Sequence, residues 1–275
     1  MILFRPFSIV AFAAVLSFVG VSASAEGLRR PVRWSNGSSV LSVLDFGGVG
    51  DGIADETGAF RRGLEFLGNA HGGILLVPRG QYRFSGVISV PRGVTLEGIY
   101  TYVPSHASQA PTENSVLLPT AGRGKEGDPP FIQLHANTAL RGFVIYYPDQ
   151  VRAGTPVPYP YAISMEGDNA CVENVELLNP YLGIRAVNAA RHMIRNVQGQ
   201  PLRLGIYVDQ TYDIGRIENV HFNPWYSVDK RLMAWQLTHA EAFMIARTDW
   251  QVRRKHSISL HRLLTHTDGS MGSIF

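Results

Sequence analysis

The sequence predicts an all-β chain wound into stacked coils, a solenoid with one coil per repeat. Three observations carry this. First, LRGFVI at 140–145, VENVEL at 172–177, IRNVQ at 194–198 and IENVHF at 217–222 share one order: apolar, polar, Asn or Gly, apolar, polar. Their asparagines Asn174, Asn196 and Asn219 fall 22 and 23 residues apart. Second, Ile163, Ile184 and Ile206 recur in phase with them, 21 and 22 residues apart. Third, these repeats show two strands each and no helical period, and the stretch before them reads as short strands separated by turn residues. Leucine-rich repeats have a similar period, but their leucine spacing is missing here.

Taken in order, residues 1–25 read as a signal peptide. Arg5 gives a positive start, residues 9–21 (IVAFAAVLSFVGV) are apolar, and Ala23-Ser24-Ala25 offers the small residues that a signal peptidase reads before Glu26. Thirteen apolar residues fall short of the ~20 needed to span a bilayer. Residues 26–41 form an irregular lead-in. In the next stretch a short strand, SVLDF, runs into a loop dense in glycine and aspartate, GGVGDGIAD at 47–55. Asp55 or Thr57 can cap a helix over about 56–70, with Phe60, Leu64 and Leu67 on its apolar face. Gly58 and Gly63 weaken that helix by ~1 kcal/mol each, so packing has to hold it.

Short strands follow at 74–77, 81–84, 87–90 and 94–97, with Pro-Arg-Gly between them at 78–80 and 91–93. Residues 101–128 and 150–160 interrupt the pattern as long loops, the kind of segment that carries binding sites on a rigid scaffold. The repeats then run to about Trp250. Stacking at the strand spacing of about 4.8 Å turns equivalent positions into ladders. Asn174, Asn196 and Asn219 would then bond coil to coil through their side-chain amides, a structural role and not a catalytic one.

From Gln251 the coil pattern fails. Residues 251–275 form an atypical basic tail, consistent with a truncated or frame-disrupted C-terminus. The solenoid domain is therefore read as 42–250. The net charge of +3 is poorly placed for nucleic acid: the tail alone carries +3, Arg5 leaves with the signal peptide, and residues 26–250 carry about −1. No basic face remains for phosphates. With only Cys171, no intrachain disulfide forms, and that side chain sits in an apolar segment.

The runs VLDFGGVGDGIADETGAFRRGLEFL, GGILLVPRGQYRF and VPRGVTLEG resemble the opening of the pectate-lyase-superfamily domain, also described as rhamnogalacturonase- or epimerase-like. Gly48 replaces the usual alanine and Glu56 the more usual aspartate. The resemblance implies a pectin-lyase-like single-stranded right-handed parallel β-helix with an N-terminal capping α-helix. The leader predicts a secreted or periplasmic protein with no membrane partner once it is cleaved, and the resemblance implies a polysaccharide as partner. Members include lyases, hydrolases, epimerases and phage tail spikes, so the fold does not choose the reaction.

The polygalacturonase signatures are absent: Asn137-Thr138 is followed by Ala139, and Arg216-Ile217 by Glu218. The coil alignment places Glu166, Val187 and Asp209 in one ladder. Glu166 and Asp209 are then about 9.6 Å apart, twice the strand spacing. An inverting glycosidase holds its carboxyls about 6.5–9.5 Å apart. Glu166, Asp209 and Asp213, which lies one turn further on, are the candidate catalytic residues. The competing reading makes them solvated acidic residues at turns. A lyase would use Lys or Arg as base, often with Ca²⁺; Glu166, Asp168, Asp209 and Asp213 are the oxygen donors that could gather for one. Tyr147, Tyr181, Trp225 and Tyr226 follow strands at one corner of the coil and are the candidate substrate-binding rings, with packing under a loop as the alternative. The sequence thus reads as a glycoside hydrolase or polysaccharide lyase, or a fragment of one. The alternative is a β-helix that binds carbohydrate without turning it over.

Overall fold

The computed structural model describes residues 32–33, 39–100, 113–249, 251–258, 262–265 and 273–274. The signal peptide and most of the lead-in lie outside them, as do residues 101–112; the rest of the 101–128 segment is not all loop, since Ser115–Pro119 is a buried strand. The first coil contains β1 (Val32–Arg33), β2 (Ser39–Ser42), β3 (Asp51–Asp55) and helix α1 (Thr57–Asn69). The second runs β4 (Gly73–Val77), β5 (Gly80–Phe84) and β6 (Ile88–Val90), and the third β7 (Val94–Gly98), β8 (Ser115–Pro119) and β9 (Ile132–Leu134).

Two longer strands then make each coil. They are β10 (Ala139–Ile145) with β11 (Tyr161–Met165), β12 (Cys171–Leu177) with β13 (Leu182–Val187), and β14 (Met193–Gly199) with β15 (Leu204–Asp209). Next come β16 (Gly215–Phe222), helix α2 (Lys230–His239) and β17 (Glu241–Ile245). The winding continues through β18 (Gln251–Ile258), β19 (Arg262–Thr265) and β20 (Ser273–Ile274).

Apart from the antiparallel pair β1–β2, the strand pairings described are parallel, each strand beside its equivalent on the next coil. β10 shows how three faces become two strands. Its first half pairs with β7 and its second half with β8. The bend falls at Gly142, whose φ of 77° lies in the left-handed region. A Cβ there would meet the Gly98 carbonyl oxygen at 2.5 Å, so the first bend needs glycine. On the following coils the bend residue is asparagine, with φ of 54° at Asn174, 53° at Asn196 and 52° at Asn219. Asparagine tolerates this conformation better than other side chains. The predicted ladder is present: Asn196 Nδ2 donates to Asn174 Oδ1 at 2.8 Å, and Asn219 Nδ2 to Asn196 Oδ1 at 2.9 Å.

Inside the coils, Leu75, Leu96, Leu140, Val172, Ile194 and Ile217 stack in one buried column, and Ile88, Ile132, Ile163, Ile184, Ile206 and Phe243 in another. Outside the first column runs a charge ladder that the sequence reading did not find. Glu97, Arg141, Glu173, Arg195, Glu218 and Arg254 occupy successive rungs with alternating sign. Arg195 and Arg141 both pair with Glu173. Alternation avoids the like-charge repulsion that equal neighbours would create.

Three further elements differ from expectation. The segment SVLDF is a strand only to Ser42; Val43–Phe46 is a 3-10 turn in which Ser42 and Asp45 cap each other. Helix α2 interrupts the last repeat, started by Asp229, whose Oδ1 accepts from the Arg231 and Leu232 amides at 3.1 Å each. The third difference concerns Gln251 onward, where the coil was expected to stop. β18 instead continues in register on β16, Glu218 opposite Arg254 and Val220 opposite His256. The backbone ladder does not depend on side chains, which is why it persists. The inward column changes from Ile217 to Arg253, which is 7% exposed and whose burial lowers its pKa.

The motif that carries the family resemblance builds this end of the fold. Buried Glu56 accepts from the Val49 and Gly50 amides at 3.0 and 2.8 Å, folding the glycine-rich loop back on itself. Asp55 accepts from the Thr57 amide at 3.1 Å at the start of α1 and from Ser85. The side chains of Phe60, Leu64 and Leu67 are buried as the period predicts, and α1 packs on β2, β4, β6 and β7.

Candidate functional site

The third face, ordered β6, β9, β11, β13, β15, β17 and β19, carries the candidate site. Side chains alternate along each strand, so the residues flanking the buried isoleucine column point outward. Register aligns Ser89, Gln133, Ser164, Arg185 and Tyr207 in one outward row. Glu166 follows β11, and Val187 and Asp209 are paired on β13 and β15, so the predicted Glu166–Val187–Asp209 ladder is the next outward row.

Each of the two carboxylates is held by an arginine. Arg185 donates Nε and Nη2 to Ser164 Oγ at 3.1 and 3.0 Å, and Nη2 to Glu166 Oε1 at 3.3 Å. Its guanidinium stands 5.6 Å from the centre of the Tyr161 ring. Asp209 takes both arms of Arg247, Nε to Oδ1 at 2.9 Å and Nη2 to Oδ2 at 2.7 Å. It also accepts from the Tyr207 hydroxyl at 3.0 Å and from the Gln210 amide at 2.9 Å. The Arg247 guanidinium, more than its burial, sets its ionisation and pulls its pKa down to about 2. Asp209 is therefore a fixed anion at neutral pH. It can accept a proton or balance charge, but it cannot serve as a general acid.

Asp213 does not join this row. It pairs with Arg191 at 2.5 Å on the turn between the third and first faces, and Arg191 also takes Asp168 at 2.9 Å. The Ile214 amide and Arg191 hold the Asp213 carboxyl below its ordinary range. The four carboxylates considered as calcium donors are thus distributed over three arginines. Among the described residues no group of three or more His, Cys, Asp or Glu converges, so this donor set does not fit a calcium cage.

The candidate sugar-binding rings are packed, not presented. Tyr147, Tyr181, Trp225 and Tyr226 are 1, 8, 6 and 1% exposed. Tyr147 and Tyr181 belong to the main core, Tyr181 against Trp235 of α2, while the loops at 148–160 and 223–229 fold with α2 over the outside of the second face. There Val116, Leu118, Val144, Leu178, Leu202, Tyr226 and Leu232 form a second core. Tyr226 donates its hydroxyl to the Gln150 carbonyl at 2.9 Å and lies under the Arg152 guanidinium, while Tyr147 packs on Tyr159 with ring centres 4.7 Å apart. Sequence reasoning read the aromatics as rings at one corner, with packing under a loop as the alternative; all four are buried. Covering this face also buries Glu176, between Val144 and Gln198 in register, with neither carboxyl oxygen hydrogen-bonded. Burial raises its pKa to about 9. Half-buried Cys171 has its thiol pushed up, chiefly by burial.

Stacked parallel strands on three faces, an asparagine bend ladder and an open outer side on the third face define a pectate-lyase-like parallel β-helix. Residues 40–240 match the family described as Rhamnogalacturonase A/epimerase, pectate lyase-like, and the chain belongs to it. A stretch of 45 residues is 42% identical to mannuronan C5-epimerase AlgE1 of Azotobacter vinelandii, covering 16% of this chain and 3% of that protein. The AlgE6 A-module, a mannuronan C-5 epimerase from the same organism, superposes with a TM-score of 0.56 at 17% identity, over 78% of this chain and 55% of that one. A hyperthermoactive exopolygalacturonase from Thermotoga maritima gives 0.54 at 19% identity, over 83% and 61%. At these identities the structural likeness bears on the fold alone. The chain spans little more than half the length of either solved structure.

Proposed function

We propose that this chain acts on a polysaccharide laid along the outside of the third face. The observation that supports it most is the strip of interlocked guanidinium, carboxylate and hydroxyl groups: Ser164, Arg185 and Glu166 at one position, Tyr207, Asp209 and Arg247 further along. Each ion pair fixes its partner's geometry and leaves N–H edges and lone pairs for sugar hydroxyls or a uronate carboxylate, which guanidinium groups recognise with two parallel bonds. The family and the names of its relatives, a mannuronan C5-epimerase and an exopolygalacturonase, support a glycan as the ligand.

If the reaction is hydrolysis, Glu166 and Asp209 are the carboxyl groups offered to it, and Asp209, held ionised by Arg247, is not the proton donor. A second reading, binding without turnover, is favoured by the engagement of both carboxylates in ion pairs. Export through the leader at 1–25 belongs to the same proposal. N-terminal sequencing of the exported product should begin at Glu26, and an intact Met1 in the medium would contradict it.

The test is a panel of pectin, rhamnogalacturonan, β-glucan and mannuronan incubated with the full chain. Unsaturated uronide absorbance reports a lyase, new reducing ends without it a hydrolase, and altered uronate proton resonances without cleavage an epimerase. Retention on one glycan without any of these supports the binding reading. Neither binding nor turnover across the panel overturns the proposal.

A further inference from the structure

At the β6 end of the same face, Ser89 Oγ and His135 Nε2 are 2.8 Å apart. Ser89 lies on β6, and His135 follows β9 on the next coil. Neither side chain has been given work by the glycan strip. Their bond does little for stability, since Ser89 is exposed and water would satisfy its hydroxyl equally well. What the pair does provide is the geometry of an activated alcohol: a hydroxyl on an accessible strand, within hydrogen-bond reach of an imidazole nitrogen.

The surroundings suit an acyl group. Ser89 opens on a concavity lined by Arg61, Glu65, Val87 and Pro91. Arg61, from α1, donates Nε and Nη2 to the Val87 carbonyl at 3.0 and 2.8 Å, which holds a cation at the rim of that concavity. On the other side, Gln133 is the register neighbour of Ser89 and supplies a side-chain amide. A cation beside a nucleophile can stabilise a developing oxyanion, with the Glu65 carboxylate of the same lining acting against it.

We propose that Ser89 and His135 form an ester-hydrolysing dyad that removes O-acyl groups from a hydroxylated substrate. His135 Nε2 takes the Ser89 hydroxyl proton as Oγ bonds to the ester carbonyl carbon. The tetrahedral adduct collapses by breaking the bond to the substrate oxygen, which leaves as an alcohol with the proton from His135. Water, deprotonated by the same nitrogen, then attacks the acyl-serine, releasing the carboxylic acid and restoring Ser89. For Nε2 to accept, the ring proton sits on Nδ1.

A small ester tests this without requiring a glycan, so its failure leaves the polysaccharide reading untouched. With 4-nitrophenyl acetate, the full chain should release nitrophenolate above the buffer rate. Ser89→Ala and His135→Ala should each lose about 100-fold or more of the increment. Both substitutions sit at solvated positions, and circular dichroism should match the parent. A fluorophosphonate should label Ser89, read by mass spectrometry of the peptide that carries it, and the label should be absent in His135→Ala. Turnover that survives in Ser89→Ala, no turnover above buffer, or a parent protein that leaves Ser89 unlabelled would each overturn the dyad.

Discussion

Replacing Glu176 with glutamine should stabilise the protein, and by an amount that grows with pH. The carboxyl is fully buried, has no hydrogen-bond partner for either oxygen, and has its pKa raised by burial from 4.5 to about 9. The folded state therefore keeps it protonated at neutral pH, while the unfolded chain releases the proton above about pH 4.5. Whatever stability the neutral carboxyl allows is fully present below the unfolded value. It is lost as pH rises toward the folded one, at about 1.4 kcal/mol per pH unit. At pH 7, about 2.5 pH units above the unfolded value, the penalty is ~3 kcal/mol.

Glutamine fills the same space and never ionises. Its own buried amide adds an offset that does not change with pH, so the slope decides the matter and not the size of the gap at one pH. Urea unfolding of both proteins at pH 4, 5.5, 7 and 8.5 gives the comparison. The expected advantage of Glu176→Gln over the parent rises steadily across the series. A gap that stays constant, or narrows toward alkaline pH, would refute the buried neutral carboxyl.

Asn196→Ala removes two rungs of amide bonding and puts at φ 53° a residue that tolerates the left-handed region less well than asparagine, so it should cost about 1–3 kcal/mol. Asn196→Gly, which relieves the backbone term only, should fall between it and the parent in urea melts. The Asp209 carboxyl, held at about 2 against 3.8, contributes stability that is present above its ordinary value and lost as pH falls through the folded one. Asp209→Asn should therefore flatten the acid limb of the unfolding curve between about pH 4 and 2. Arg253→Ile returns an aliphatic side chain to the buried column above Ile217 and should raise the thermal midpoint, by an amount equivalent to ~1–3 kcal/mol. A lower midpoint would mean that the partners of Arg253 outweigh its burial.

The coil was legible because its determinants are local and repeated. An asparagine every 22 or 23 residues marks a left-handed bend, and an isoleucine in phase marks the inward position of the next strand. The acidic row was legible for the same reason, since counting from Ile163, Ile184 and Ile206 finds Glu166, Val187 and Asp209. Partners across coils were harder to foresee. Arg247 reaches Asp209 over 38 residues and through an inserted helix. Arg191 takes Asp213 because both sit on turns whose paths the repeat does not specify. The aromatics misled because corner position does not reveal whether a loop closes over it. Glu176 looked like any outward polar residue of a repeat until the second core was seen to cover it. The charge ladder was in the sequence all along, as Arg141, Glu173, Arg195 and Glu218 at one repeat position, but becomes meaningful only once strands are paired.

The most direct test of the account is hydrogen–deuterium exchange of the full chain, with and without oligosaccharides of whichever panel glycan it retains or converts. Protection should concentrate on the strands at 161–165, 182–187 and 204–209 and the turn that carries Arg247, and Arg185→Ala should abolish it. Protection confined to the first or second face, or left intact by that substitution, would contradict a glycan lying on the third face.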